Sequence, residues 1–257
     1  MLLTIDIGNT NITLGLYDGK TLSAHWRLAT DHQRMQDEYG LQLLGLLSHV
    51  NCPPDSLEGI CLASVVPPLT SRIQQACLQY LSREALVIDH KIKLGISILC
   101  EDPKAVGADR LVDAVAVNRL YGGPACVVDL GTATTFDAID ADGNYLGGAI
   151  APGISIALDA LVHRTSQLPR VDLQPPPSAI GRNTIHAMQS GLLFGYVSMV
   201  EGMLVRFRAE LGSDMKAIAT GGLAEIVARH TKSIQIIAPW LTLDGLQIIW
   251  ELNHNNA

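Results

Sequence analysis

The chain contains the same opening twice. Residues 3–22 read LTIDIGNTNITLGLYDGKTL and residues 126–146 read CVVDLGTATTFDAIDADGNYL. With Asp6 set on Asp129, Gly8 falls on Gly131; one further residue of offset sets Asp18-Gly19 on Asp142-Gly143. Each copy runs through a short aliphatic segment, an Asp-x-Gly with a small polar cluster, a second β-rich run, an Asp-Gly pair and a third run. Asp-Gly between apolar runs signals a hairpin, because glycine accepts positive φ at no steric cost. Each copy therefore reads as a three-stranded antiparallel meander whose first turn carries an acid and a glycine.

The segments downstream of the two copies also match. The first half predicts a helix over roughly 34–50, a buried strand at 59–63, a helix near 68–81 and a strand near 85–88. The second predicts helices near 153–163 and 184–211, a strand near 216–219, a helix near 223–230, a strand near 234–238 and a final helix near 243–254. Both halves are three strands followed by alternating helices and strands, so the fold class is α/β, with mixed sheets covered by helices. Two such halves imply a cleft between domains, a favoured place for a ligand. The boundary is expected near residue 115, inside or just after a helix starting at Val106, giving domains 1–115 and 116–257, with Pro175-Pro176-Pro177 a surface loop inside the second.

Composition narrows the function. The 257 residues are 48% hydrophobic and 17% charged, with a formal net charge of −7. No block of Lys or Arg stands out, so a nucleic-acid partner is not expected. No run approaches the ~20 apolar residues of a membrane span, and Met1-Leu2-Leu3-Thr4-Ile5-Asp6 lacks the basic region of a signal peptide. The five cysteines, Cys52, Cys61, Cys77, Cys100 and Cys126, are odd in number, widely spaced and free of any C-x-x-C pair. That argues against a disulfide framework or a structural zinc site and for a reducing cytoplasm. His163 and His186 lack ligand-spaced partners and read as ordinary polar residues.

Asp6-Ile7-Gly8-Asn9-Thr10-Asn11 reads as a strand running into a tight turn. Glycine lets backbone approach phosphate oxygens, and the turn amides with the Asn and Thr side chains supply donors. Asp6 offers a carboxylate to a hard cation such as Mg²⁺, through water. The same residues also suit a plain Asx-capped turn; the second copy, Asp129-Leu130-Gly131-Thr132, favours a phosphate clamp. Ala219-Thr220-Gly221-Gly222-Leu223, between a strand and a helix, suits an adenosine packed on backbone, with the helix N-terminus facing phosphate. No G-x-x-x-x-G-K-[ST] and no G-x-G-x-x-G after the first strand occur, so neither a P-loop nor a dinucleotide site is indicated.

With three such elements in this order, the chain resembles the superfamily of acetate and sugar kinases, Hsp70 and actin, and within it the type III pantothenate kinase family. The matching segments are DIGNTNITLG at 6–15, VGADR at 106–110, DLGTATTFD at 129–137 and Gly147–Gly153. TSQLPRVDL at 165–173, IGRNTIHAMQSG at 180–191 and TGG at 220–222 complete the set. The resemblance implies duplicated actin-like, ribonuclease H-like β-β-β-α-β-α-β domains. It implies phosphorylation of pantothenate by Mg²⁺-ATP to 4'-phosphopantothenate, the first step of coenzyme A biosynthesis, by a homodimer. It further implies that Asp6, Ile7, Gly8, Asn9, Thr10, Asn11, Ile12, Thr13 and Thr132 bind ATP, beside Gly221 and Gly222. Gly107, Ala108, Asp109, Arg110 and Thr184 look like pantothenate contacts, with Asp109 the catalytic proton acceptor. Asp129 resembles the ligand of a monovalent cation, K⁺ or NH₄⁺. One position departs from the family: a tyrosine is usual nine residues before the catalytic aspartate, where this chain has Cys100.

Local sequence leaves alternatives open. Asp109 suits the first turn of a helix over Ala108–Leu120, where an acid complements the helix dipole. Arg110 suits either a bidentate grip on a substrate carboxylate or a surface pair with Asp109 or Asp113. The apolar stripe of 184–207 (Ile185, Met188, Leu192, Leu193, Val197, Met199, Val200, Met203, Leu204) suits an internal core or, given the family's dimerism, an interface. The rival functions are another small-molecule kinase or a phosphatase of the same fold, and a non-catalytic nucleotide-binding regulator.

Overall fold

The computed structural model describes residues 1–254, and they form two compact units. The first is Met1–Tyr121 together with the helix that begins at Leu241; the second is Gly122–Trp240.

In the first unit, β1 (Leu2–Ile7), β2 (Asn11–Asp18) and β3 (Thr21–Ala29) form the meander, followed by α1 (Gln36–His49), β4 (Gly59–Ser64), α2 (Pro67–Leu81), β5 (Ala85–Val87) and α3 (Ala108–Leu120). The sheet order is β3-β2-β1-β4-β5, with β4 and β5 parallel to β1. Gly19 closes the β2–β3 hairpin at φ +57°, as Asp-Gly predicts. Alternation divides β1 between two faces. Leu3, Ile5 and Ile7 join Ile60 and Leu62 in one core with Tyr39, Leu43 and Leu47 of α1 and Leu69, Ile73 and Leu81 of α2. Leu2, Thr4 and Asp6 share the opposite face. Glu38 starts α1 by accepting the Met35 amide at 2.8 Å.

The second unit repeats this plan. β6 (Ala125–Leu130), β7 (Ala133–Ile139) and β8 (Tyr145–Pro152) form the meander, followed by α4 (Ile154–Arg164), α5 (Thr184–Gln189), α6 (Gly195–Leu211), β9 (Lys216–Thr220), α7 (Ala224–Ala228) and β10 (Ile236–Ile237). Its sheet order, β10-β9-β6-β7-β8, is the first sheet's order read from the other edge. Even the irregularities match: the meanders shift register between Leu16 and Tyr17 and between Ala138 and Ile139, just ahead of the Asp-Gly turns. The duplication expected from sequence is thus present in strand order, pairing and bulge position.

The boundary expected near 115, inside or just after α3, compares with a division at Tyr121–Gly122, after α3 has ended at Leu120. Two sequence expectations change. The final helix, α8 (Leu241–His254), follows the second half in sequence but belongs to the first unit. Its anchors are specific: Thr242 donates to Asp113 at 2.8 Å, Tyr17 donates to Asp244 at 2.6 Å, and Trp250 lies on Gly59, where a Cβ would sit 1.9 Å from the ring. The helix expected over 184–211 is interrupted by a π-helical turn, Ser190–Phe194. Most of its stripe, including Met188, Leu193, Val197, Val200 and Leu204, fills the second unit's own core, while Ile185 is 50% exposed.

Candidate active site

Asp6 and Asp129 hold equivalent places in the two sheets. Asp6 pairs Thr13 of β2 and Ala63 of β4; Asp129 pairs Thr135 of β7 and Thr220 of β9. Each stands one residue before the end of its central strand and two before a glycine. Each glycine amide closes its turn, the second more tightly: Gly8 donates to the Asn11 carbonyl three residues on at 3.0 Å, and Gly131 donates to the Ala133 carbonyl two residues on at 3.1 Å. The repeat therefore fixes two acid-glycine turns at the carboxyl ends of the two central strands, as the sequence implied.

Around the first turn, Asn9, Thr10 and Asn11 are exposed and Thr13 is half-buried. Ile7 and Ile12 are 0% and 1% exposed and belong to the apolar core. Of the nucleotide contacts expected at 6–13, these two can be made only by backbone. The residue after β3, Thr30, folds back on the turn; no motif in the sequence marks it.

Asp109 belongs to the same unit and the same end of the sheet. The chain leaves β4 through Val65, whose amide donates to the Ile7 carbonyl at 3.1 Å. Gly107 packs beside Val65: a Cβ there would stand 3.4 Å from its Cγ1 and 2.5 Å from Asp109 Oδ1. Glycine is required because the aspartate carboxylate occupies the space of a side chain. Asp109 lies in the first turn of α3 as predicted, and its Oδ1 accepts the Arg110 amide at 2.8 Å. Burial pushes its carboxyl above the ordinary aspartate range, against the lowering effect of that amide and the Arg110 charge. Ala108 and Arg110 are half-buried, as is Cys100. Asp113 is 3% exposed and accepts from Thr242, so it is a core carboxylate rather than a surface partner.

In the second unit the site gathers around Asp129. Gly221, at φ +88°, comes so close that a Cβ would lie 2.3 Å from Asp129 Oδ1. Leu223 donates its amide to the Leu130 carbonyl at 3.2 Å, binding the β9–α7 turn to the end of β6. Gly153 also packs on the turn and donates to the Thr132 carbonyl at 3.2 Å. Tyr196 of α6 hydrogen-bonds Thr134 below. Thr132 and Gly222 are exposed. The expected helix N-terminus aimed at phosphate is weaker than sequence suggested, since α7 has five residues and a correspondingly small dipole. Gly221 is filled on one side by Asp129. Thr184 is exposed at the start of α5, capped by Asn183, whose side chain accepts the His186 amide at 2.8 Å. His163 Nδ1 lies 2.8 Å from the Asp159 carbonyl.

The donor sets suit hard cations. Among the described residues no cluster of three His, Cys, Asp or Glu side chains forms. A cation at Asp6 or at Asp129 would meet one carboxylate with carbonyl, hydroxyl or water oxygens. That suits a metal carried in with phosphates, or a loosely held monovalent ion, better than a closed divalent cage. Gly131 leaves the Asp129 carboxylate free of a neighbouring side chain, where a Cβ would stand 3.5 Å from Oδ1, so the residues fit such an ion. Among the described residues no helix is long and apolar enough to cross a membrane.

Comparison with known proteins bears on the family and the fold. Residues 2–206 match the model of the type III pantothenate kinase family. A type III pantothenate kinase of Moorella thermoacetica is 50% identical over 253 residues, covering 98% of this chain and 100% of that protein. One of Exiguobacterium sibiricum is 47% identical over 253 residues, with the same coverage. Among solved structures, the activator of the 2-hydroxyisocaproyl-CoA dehydratase from Clostridium difficile with bound ADPNP superposes at TM-score 0.57 and 12% identity, covering 100% of this chain and 98% of that one. At that identity the likeness is one of fold, the duplicated actin-like architecture.

Proposed function

The chain belongs to the type III pantothenate kinase family, and we propose from that footing that it transfers the γ-phosphate of ATP to the primary hydroxyl of pantothenate. The observation that carries the mechanism is Asp109: a half-buried carboxylate, held by the first turn of α3 at the end of the sheet that carries the Asp6–Gly8 turn.

Phosphoryl transfer passes through a loose transition state, so positioning and charge neutralisation do most of the catalytic work. The amides and exposed side chains of Gly8–Asn11, and Thr132 with its turn, bind phosphate oxygens. Asp109 accepts a hydrogen bond from the substrate hydroxyl and aims its oxygen at the γ-phosphorus. The new bond joins that oxygen to phosphorus, the bond to the β,γ-bridging oxygen breaks, ADP leaves, and the proton passes to Asp109 late in transfer. Asp109's raised basicity favours that last step. Arg110, Gly107, Ala108 and Thr184 contact pantothenate, with Arg110 suited to its carboxylate. Asp6 would hold Mg²⁺ through water and Asp129 a K⁺ or NH₄⁺ ion; bound cations would shield the negative charge that phosphates bring together. A homodimer is supported by the apolar side chains left outward on α5 and α6, Ile185 and Val205, the latter 63% exposed.

The test is a coupled ATP assay with pantothenate, with and without potassium. Turnover with pantothenate that rises with potassium supports both assignments; none with pantothenate sinks the substrate. Cys100 favours one second reading, a kinase of this fold acting on another small alcohol, and a panel of sugars and alcohols in the same assay separates it.

A further inference from the structure

Thr30 comes directly after β3 and reaches back to the turn at the end of β1. Its amide donates to the Thr10 carbonyl at 2.9 Å, and its hydroxyl donates to the Gly8 carbonyl at 2.6 Å. Together with the Gly8 amide bonded to Asn11, these contacts fix the turn at three places. An anion site made of backbone amides works only when neighbouring carbonyl dipoles are turned elsewhere. Thr30 engages two of those carbonyls.

The internal repeat supplies an independent comparison. Gly153 holds the place of Thr30 there, as the first residue after the third strand of its meander. Its amide donates to the Thr132 carbonyl at 3.2 Å, as Thr30's does to Thr10. A Cβ at Gly153 would stand 2.2 Å from the Thr132 oxygen and 2.6 Å from the Gly131 oxygen, so this turn is braced by a contact only glycine allows. Both copies thus tie the end of the third strand to the acid-glycine turn, and the first copy adds a hydroxyl. Thr30 is itself anchored. Tyr39 donates to the Asp31 carbonyl at 2.9 Å, and Arg72 donates through Nη1 to the carbonyls of His32 at 2.8 Å and Arg34 at 3.1 Å.

We propose that Thr30 is a positioning residue for the nucleotide: it holds the Gly8–Asn11 turn in its phosphate-binding form without touching a reacting atom. This rests on the reading of that turn as an ATP contact. Thr30→Val keeps the side chain's shape and deletes its donor. It should raise both the KM for ATP and the Kd of Mg²⁺-ATP by calorimetry about three- to tenfold, the weight of one hydrogen bond, with KM for pantothenate changed by less than about twofold. Thr30→Ser, which keeps the hydroxyl, should restore both; Thr30→Ala repeats the deletion should the valine variant not fold. An unchanged Kd in the deletion variants, an equal rise in both KM values, or no recovery with serine overturns the proposal. A wild-type chain that binds ATP yet leaves pantothenate unphosphorylated overturns the kinase reading alone, and the Kd comparison still decides Thr30.

Discussion

Gly221 and the Asp129 carboxylate touch so closely that one methyl group does not fit between them: a Cβ on Gly221 would lie 2.3 Å from Oδ1 and 2.8 Å from the backbone of Leu130. Two turns distant in sequence are thereby locked around one acid. Gly221→Ala must displace Asp129 or β6, and it also forces a left-handed backbone on a residue with a side chain. We expect a stability loss of about 1–3 kcal/mol by thermal or urea unfolding. Pantothenate turnover should fall about a hundredfold, as displaced catalytic groups generally cause. An alanine variant with wild-type turnover would show that Asp129 needs no fixed position.

Asp109→Asn keeps an oxygen for the Arg110 amide and removes the charge. kcat should fall by at least about a hundredfold, the scale of a lost general base, while Mg²⁺-ATP binding changes little. The stability effect has the opposite sign. Burial raises the carboxyl's pKa in the folded state above its unfolded value, so the folded protein holds this proton more tightly. Stability from this group is fully present below the unfolded pKa and declines as pH rises through the folded one. The asparagine variant, which cannot ionise, should therefore match or exceed the wild-type Tm at pH 7, and the difference should shrink as pH falls towards ~4. A variant less stable than wild type at neutral pH would contradict this account of the site.

Tyr17→Phe tests the attachment of α8. The Tyr17 hydroxyl donates to Asp244 at 2.6 Å, and burial drives the Asp244 carboxyl upward while the bond opposes it. Deleting the hydroxyl leaves a partly buried acid with one donor fewer, which costs about 1.5–3 kcal/mol. The expected reading is a Tm lower by about 3–10 °C with KM values unchanged. A Tm within error of wild type would mean that α8 is held by packing alone.

Cys100→Tyr introduces the residue usual in the family nine positions before Asp109. With pantothenate as substrate, KM should fall about three- to tenfold through the added ring and phenol, without change in KM for ATP. A higher KM for pantothenate would point instead to a substrate that needs the smaller side chain.

Much of this molecule is legible locally. The alternation of Leu3, Ile5 and Ile7, the Asp-Gly pairs at 18–19 and 142–143 and the apolar run at 59–63 each specify an element through neighbours in the chain. Because the pattern occurs twice, they also specify a repeated sheet order and equivalent places for Asp6 and Asp129. Asp109 at the head of a helix is legible for the same reason. Contacts made by distant surfaces are not. The bond from Tyr17 to Asp244 spans 227 positions, and nothing near either residue announces it, so sequence order alone puts the last helix in the wrong half. Thr30 looks like an ordinary turn residue, and the motifs holding Gly153 and Gly221 do not say what those glycines touch, until the close approach of other segments shows why the two glycines lack a side chain and what the hydroxyl of Thr30 holds. Side-chain period and turn chemistry are short-range properties written into sequence; which turn lies against which carboxylate depends on packing that only the assembled chain creates.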